Sequence, residues 1–447
     1  MFYKPSPLQQ PQASSRKSAL ERLSDLKTDH YTGRRRGTYA VCSAHREVLT
    51  AAMERARSEG ADLLIEATAN QVNQFGGYTG MTPAAFSTYV RDLATAAAFP
   101  LDRIVLGADH LGPQTWKSEP AERAMANALA LVRQCIAAGF RKLHLDTGGG
   151  CVDDPSPELS PRVAALRAAA LCTAAEDAHD RLDPGLSRPL YVIGAEVPPP
   201  GGDLRDPERL EVTRPAAVRE TIERTHACFG KAGLESALER VIGIVVQPGV
   251  EFGDDAVAGY RPERARPLSD LHAQLPGIMT YEIHSTDYQS PAALARLTRD
   301  HFTLLKVGPC LTYAVRETIF ALAHIENEWL AGRSGSQPSG IREALEAAML
   351  ENPVHWRSHF KDSSDPKYLR AFSYRDRVRY YWTHPRVAGA LQRLFDNLSR
   401  PAPPSLLSQY VPDLFPAVRS GACAPDPISL IRRRVQQALV PYSMACR

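Results

Sequence analysis

The chain has 447 residues, 44% hydrophobic, 23% charged and 7% aromatic, which excludes a disordered or fibrous polymer. Lysine and arginine total 53 and aspartate and glutamate 50, so the formal charge of +3 gives no basic footprint for nucleic acid and no acidic tail. At a mean hydropathy of −0.28 no apolar run is long enough to span a bilayer, and no membrane partner is expected.

In chain order, the start is rich in Pro, Gln and Ser and lacks the apolar stretch of a secretory signal, so residues 1–20 read as a flexible leader. The eight cysteines contain no CxxC pair, which removes zinc-ribbon and thioredoxin readings and fits reduced thiols in a cytoplasmic protein. Residues 18–27 have the pattern of a short helix that would plug or flank the bottom of a larger fold. Short β-branched or apolar runs follow at 38–43, 63–67, 104–108, 142–146, 190–196, 242–247, 280–284 and 304–307. Amphipathic segments alternate with them, for example 121–138, 161–177, 216–229 and 291–300. Eight strand-then-helix repeats predict an α/β fold, a (β/α)8 TIM barrel. An open doubly wound sheet is the competitor, but the first turn, Ser43-Ala44-His45-Arg46, has no GxGxxG. Residues 312–330 read as the eighth helix, 332–340 as a Gly/Ser/Pro linker and 341–350 as the start of a further helix. The expected division is a barrel over 21–335 and a mostly helical C-terminal extension over 336–447.

In such a barrel the loops that carry chemistry open at the C-terminal ends of the strands. Those ends hold Ser43 and His45; Glu66, Asn70 and Gln71; Asp109 and His110; His144 and Asp146; Glu196; Gln247; His284, Ser285 and Asp287; and Lys306. Polar groups inside apolar runs are unfavourable unless paired or used, so this recurrence predicts an active site. His110, His144, Glu196 and His284 are the metal candidates, because imidazole and carboxylate suit Zn²⁺, Mn²⁺ or Co²⁺. The alternative is that some of them bind substrate hydroxyls. Asp109 beside His110 suits acid–base work, with Glu66 and Asp146 competing for it. Lys306 suits either a Schiff base with a ketose or an electrostatic role, and the second is favoured. His45, Asn70, Gln71, Gln247, Ser285 and Asp287 are the substrate-binding candidates. The loop at 70–82 concentrates amides, which bond sugar hydroxyls, and glycines, which allow close approach. The glycines at 148–150 and 201–202 are weaker candidates for a phosphate cradle.

Long motifs carry a family resemblance. They are IEATANQVNQFGGYTGMTP at 65–83, DHLGP at 109–113, VVQPGVEF at 245–252, HSTDYQ at 284–289, LKVGP at 305–309 and YRDRVRYYW at 374–382. The chain resembles the Z-type, so-called non-catalytic subunit family of class II D-tagatose-1,6-bisphosphate aldolase, over about residues 18–400. That family includes ketose and ketose-phosphate C4 epimerases and carries an older label, tagatose-6-phosphate kinase. The resemblance implies a TIM barrel acting on sugar phosphates with a divalent metal. It implies that Asp109 is an acid/base and His110 a metal ligand. For some members it implies a stabilising role beside a separate catalytic Y-type aldolase subunit. The kinase label finds no GxxxxGK[ST] loop and no kinase Gly-rich loop with its partner motifs. The glycine-rich loop at 146–151 departs from the family wording. Two functions are therefore expected in competition. In one, a metal-dependent enzyme makes and breaks the C3–C4 bond of a ketose phosphate. In the other, an accessory subunit stabilises a separate aldolase. A homo-oligomer is compatible with either.

Overall fold

The computed structural model describes residues 17–195, 210–275, 279–331, 337–361 and 363–447. Glu196, the glycine pair at 201–202, the leader before residue 17 and residues 332–336 of the linker lie outside them.

Eight parallel strands close into a barrel. They are β1 (Thr38–Val41), β2 (Leu63–Thr68), β3 (Ile104–Leu111), β4 (Lys142–Leu145), β5 (Leu190–Ile193), β6 (Val241–Val245), β7 (Thr280–Ile283) and β8 (Phe302–Val307). Each pairs with its neighbours in sequence, and β1 closes the ring on β8 with Thr38 opposite Leu304 and Val41 opposite Val307. All eight expected runs are strands, with shifted ends. The strand β3 continues through Leu111, so Asp109 and His110 lie within it rather than beyond it. A two-stranded antiparallel ribbon, Glu251–Phe252 with Val257–Ala258, follows β6.

The helix Ala19–Tyr31 begins at a capping box, in which the Glu21 carboxylate accepts the Ser18 N–H at 2.6 Å and the Ser18 hydroxyl accepts the Glu21 N–H at 3.2 Å. Its apolar face, Ala19, Leu23 and Leu26, packs on Ala40, Leu64, Val105, Leu190 and Leu304 from the strands. The helix therefore plugs the bottom of the barrel. Burying each leucine contributes about 1.5–3 kcal/mol.

Helices surround the sheet. Arg46–Glu59 shows the pattern, with Val48, Leu49, Ala52, Met53 and Ala56 fully buried on one face. The long helix Pro309–Leu330 follows β8. Beyond it the chain does not form a separate body but folds back over the barrel. Residues 374–382 cross the mouth, anchored where the Tyr374 N–H donates to the Asp254 carbonyl and the Tyr288 hydroxyl to the Tyr374 carbonyl, both at 2.7 Å. The helix Pro427–Ala445 then packs on Pro309–Leu330, Arg46–Glu59 and Pro291–Arg299. Arg432 fixes it to Glu47 at 2.6 Å and Glu54 at 3.1 Å. Among the described residues no helix is long and apolar enough to cross a membrane.

Candidate active site

Side chains two apart on a strand share a face, so the inward positions are read in steps of two. They place Glu66 on β2, Lys142 and His144 on β4, Glu282 on β7 and Lys306 on β8, with Asp146 and His284 just past their strands. Gly107 on β3 makes room: a Cβ there would lie 2.7 Å from Cγ of Glu66.

At the floor, Lys142 Nζ bridges Glu66 at 2.9 Å and Glu282 at 2.5 Å, and all three side chains are sealed from solvent. Lys306 Nζ meets Glu66, Asp109 at 2.7 Å and Glu282 at 3.4 Å. Burial pushes the Asp109 carboxyl up, but His110 and Lys306 outweigh it and hold Asp109 well below the usual range. Burial is likewise outweighed at Glu282, where Lys142 and Lys306 hold the carboxyl down. Burial disfavours the Lys306 ammonium, yet Asp109, Glu282 and Glu66 keep it protonated to well above the ordinary lysine value. A protonated amine is no nucleophile, so this arrangement favours the electrostatic role over the Schiff base.

Above this floor the rings of His110, His144 and His284 form a triangle, with centroids 5.0–5.3 Å apart. His144 lies between two acceptors, the Gly194 carbonyl at Nε2 and Asp109 at Nδ1, both at 2.9 Å. His110 lies between Asp146 at 3.0 Å and Asp109 at 3.2 Å, and His284 Nε2 is 3.1 Å from Glu282. A neutral imidazole carries one N–H, so a ring between two acceptors sets a nitrogen lone pair against an oxygen. A proton or a metal cation on that nitrogen resolves the clash. In His144 the N–H on Gly194 leaves Nδ1 as the ligand atom; in His110 the N–H on Asp146 leaves Nε2, the usual outer support of a metal-binding histidine. Ligand atoms of Asp109, His144, Glu282 and His284 all come within 4.8 Å of one another. The donor set therefore fits a divalent cation. His110 and Ser285 hold φ of 52° and 54°, the strained left-handed region for residues with a side chain, on either side of this centre.

A cavity of about 550 Å³ opens above the centre. Of the expected residues, Asp109, His110, His284, Lys306, His45, Asn70, Gln71, Ser285 and Asp287 line it. Glu66 and His144 are sealed from solvent and do not line it, and Asp146 is buried beside His110 outside its lining. Gln247 does not line it, because its side-chain carbonyl is committed to the N–H groups of Gly249 and Val250 at 2.7 and 2.8 Å. Asp287 combines two situations: it faces the cavity, but its Oδ1 accepts the N–H groups of Gly308 and Cys310 at 3.1 and 2.8 Å. Burial lowers His45 to about 4, which keeps it neutral. In the glycine loop at 148–150 the Gly150 N–H is already committed, donating to the Pro157 carbonyl at 2.8 Å. Lys142 went unread because it starts its run rather than ends it, and Glu282 because it lies inside its run; the step of two from His144 and His284 is the signal that finds them.

Fold and centre define a (β/α)8 barrel with a histidine–carboxylate cluster, able to hold a cation, at the C-terminal ends of its strands. A sequence model of the D-tagatose-1,6-bisphosphate aldolase subunit GatZ/KbaZ-like family matches residues 23–447, and the chain belongs to that family. A crystal structure of a probable tagatose 6 phosphate kinase from Sinorhizobium meliloti 1021 is similar at 44% identity and a TM-score of 0.83, over 92% of this chain and 100% of that one. The YdjI aldolase from Escherichia coli K12 aligns at 12% identity and a TM-score of 0.40, over 84% of this chain and 95% of that one. A fructose-bisphosphate aldolase from Campylobacter jejuni gives 12% and 0.44, over 86% and 95%.

Proposed function

We propose that the chain is a metal-dependent enzyme that epimerises a ketose phosphate at C4 by retro-aldol and aldol chemistry. The observation that carries this reading is the imidazole triangle, whose rings abut carboxylates beneath an open cavity. His144 and His284 would hold the cation with Glu282, and His110 of the same imidazole triangle would be the further ligand; Zn²⁺ or Mn²⁺ suits these donors. Bound there, the ion supplies Lewis-acid polarisation of the ketose carbonyl. Asp109, ionised at the cavity wall, takes the C4 hydroxyl proton. The C3–C4 pair moves toward the C2 oxygen, leaving an enediolate and an aldehyde. Lys306, 2.7 Å from Asp109, offers the positive charge that a weakly basic carboxylate needs beside an alkoxide. Re-addition to the other face of the aldehyde returns the proton and inverts C4; departure of the aldehyde is aldol cleavage. Glu66 is sealed from solvent and serves Lys306, and Asp146 is committed to His110 at 3.0 Å. Eight free thiols accord with a cytoplasmic setting.

The test uses the purified chain with Zn²⁺ or Mn²⁺ and fructose 6-phosphate, tagatose 6-phosphate or tagatose 1,6-bisphosphate, with products separated by chromatography. A C4 epimer is expected, and triose phosphates would mean aldolysis instead. Asp109→Ala and His284→Ala should lose metal or turnover while keeping the fold; unchanged metal and activity in both would sink the reading. The family description, an aldolase subunit, favours a second reading in which the chain stabilises a catalytic Y-type aldolase. No product from the chain alone, with a stable complex on adding that subunit, is its signature.

A further inference from the structure

The segment 374–382 brings three arginines and one aspartate over the barrel mouth, and their pairing is uneven. Arg375 pairs with Asp254 at 3.3 Å. Asp376 turns away through a left-handed φ of 42°, where it accepts from the Thr312 hydroxyl at 2.6 Å and faces Arg316 at 3.5 Å. Arg377 and Arg379 have no carboxylate partner among the described residues. Their guanidinium groups converge on one oxygen, the Tyr380 hydroxyl, at 3.1 and 3.0 Å. Arg377 also meets His359 at 2.6 Å, and among the described residues its buried Nε–H has no partner, in a residue only 6% exposed. A buried guanidinium with no counter-ion is unfavourable, and an anion relieves it. Burial and the neighbouring arginines already bring Arg377 down to about 10.

Place and charge point the same way. Arg379 and Tyr380 line the cavity that holds Asp109, His284 and Lys306. Arg377 and Tyr380 line an adjoining cavity of about 670 Å³, so Tyr380 stands in the partition between the two. The floor presents Glu66, Asp109, Asp146 and Glu282 against Lys142 and Lys306, which repels an anion, whereas the rim attracts one. We propose that Arg379, with Tyr380 and Arg377 behind it, forms the subsite that binds the phosphomonoester of the substrate. This rests on the ketose-phosphate reading above and sets its polarity, with the phosphate at the rim and the carbonyl at the floor. A tetrahedral dianion suits the arrangement better than a carboxylate. The Arg379 Nη1 is held by the carbonyls of Arg375 and Asp376, so its fork is not free for a bidentate pair, whereas phosphate takes single bonds from several directions. Arg379 is the contact residue. Arg377 is a positioning residue that holds the Tyr380 hydroxyl.

The probe is inorganic phosphate, titrated calorimetrically into the metal-free full chain. Wild type should bind it, Arg379→Met should weaken it roughly tenfold or more, and Arg379→Lys should recover part of the loss. Arg377→Met should have a smaller effect, with Arg377→Lys as its partner should the methionine variant not fold. On turnover, Arg379→Met should raise KM for a hexulose phosphate by more than KM for the free hexulose. Equal phosphate affinity in wild type and Arg379→Met overturns the subsite, as does failure of wild type to bind phosphate. Tighter, Arg379-dependent binding of a hexuronate would reassign it to a sugar acid and overturn it too. If no ketose turns over but phosphate binding still depends on Arg379, the enzyme reading falls and the subsite stands. If turnover occurs and Arg379→Met affects phosphorylated and free sugars alike, the subsite falls and the enzyme reading stands.

Discussion

In the lower half of the barrel the inward residues Leu64 and Leu304 meet Leu23 and Leu26 of the plug helix. Two positions further along the same strands stand Glu66 and Lys306. The lower layer is held by burial, which is non-directional and tolerates swaps that conserve volume. The upper layer is held by charges that must all be present, because removing one strands its neighbours. One barrel thus combines a forgiving base with an interdependent top, and a step of two residues separates them.

Four changes test that contrast, from the largest effect to the smallest. Lys142→Met removes the cation between Glu66 and Glu282 and should destabilise the chain by about 3–5 kcal/mol in urea unfolding. Leu23→Ala in the plug should lose about 2–3 kcal/mol while leaving metal content at the top unchanged, measured by elemental analysis. A change in metal content would mean that the layers are coupled. Gly107→Ala drives a methyl into the Glu66 side chain and should cost about 1–3 kcal/mol, with metal binding disturbed as well.

The fourth change is acid. At the base, His30 of the plug faces His301, which stacks on His272, with Arg35 against His301. Burial, then the neighbouring positive groups, lowers His272 to about 4 and His301 to about 3, from an ordinary 6.5. The unfolded chain binds protons that the folded one refuses, so stability should fall as the pH drops below about 6.5. His301→Gln should flatten that slope. The top behaves differently. Asp109 and Glu282 are held below the usual carboxylate range, so their contribution persists above about pH 4 and is lost only as the pH falls through their depressed values. A pH titration of the unfolding midpoint, with and without His301→Gln, reads the base before the top.

The barrel was legible because its strands are separate apolar runs, and the plug because residues 18–27 have the pattern of a short helix. Asp109, His110, His284 and Lys306 were legible because polar groups at strand ends stand out. Lys142 and Glu282 were not, since neither ends its run: Lys142 starts one and Glu282 sits inside another. Gln247 shows the converse: its position at a strand end is right, yet a local turn takes its amide. Arg377 and Arg379 could be read only as part of a family motif. That both lack a carboxylate partner among the described residues, while Arg375 and Asp376 are paired, depends on Asp254 and Arg316, far away in sequence.

The helix Pro427–Ala445 has a further consequence, for the order of assembly. The Gly37 N–H, one residue before β1, donates to the Cys446 carbonyl at 3.1 Å, and the helix covers the joint where β8 meets β1. A nascent barrel emerging from the ribosome has its eight strands long before this cover. Until residue 446 arrives, that joint lacks its cover. Contacts over such sequence separations slow folding, so docking of this helix on the barrel should be a late event.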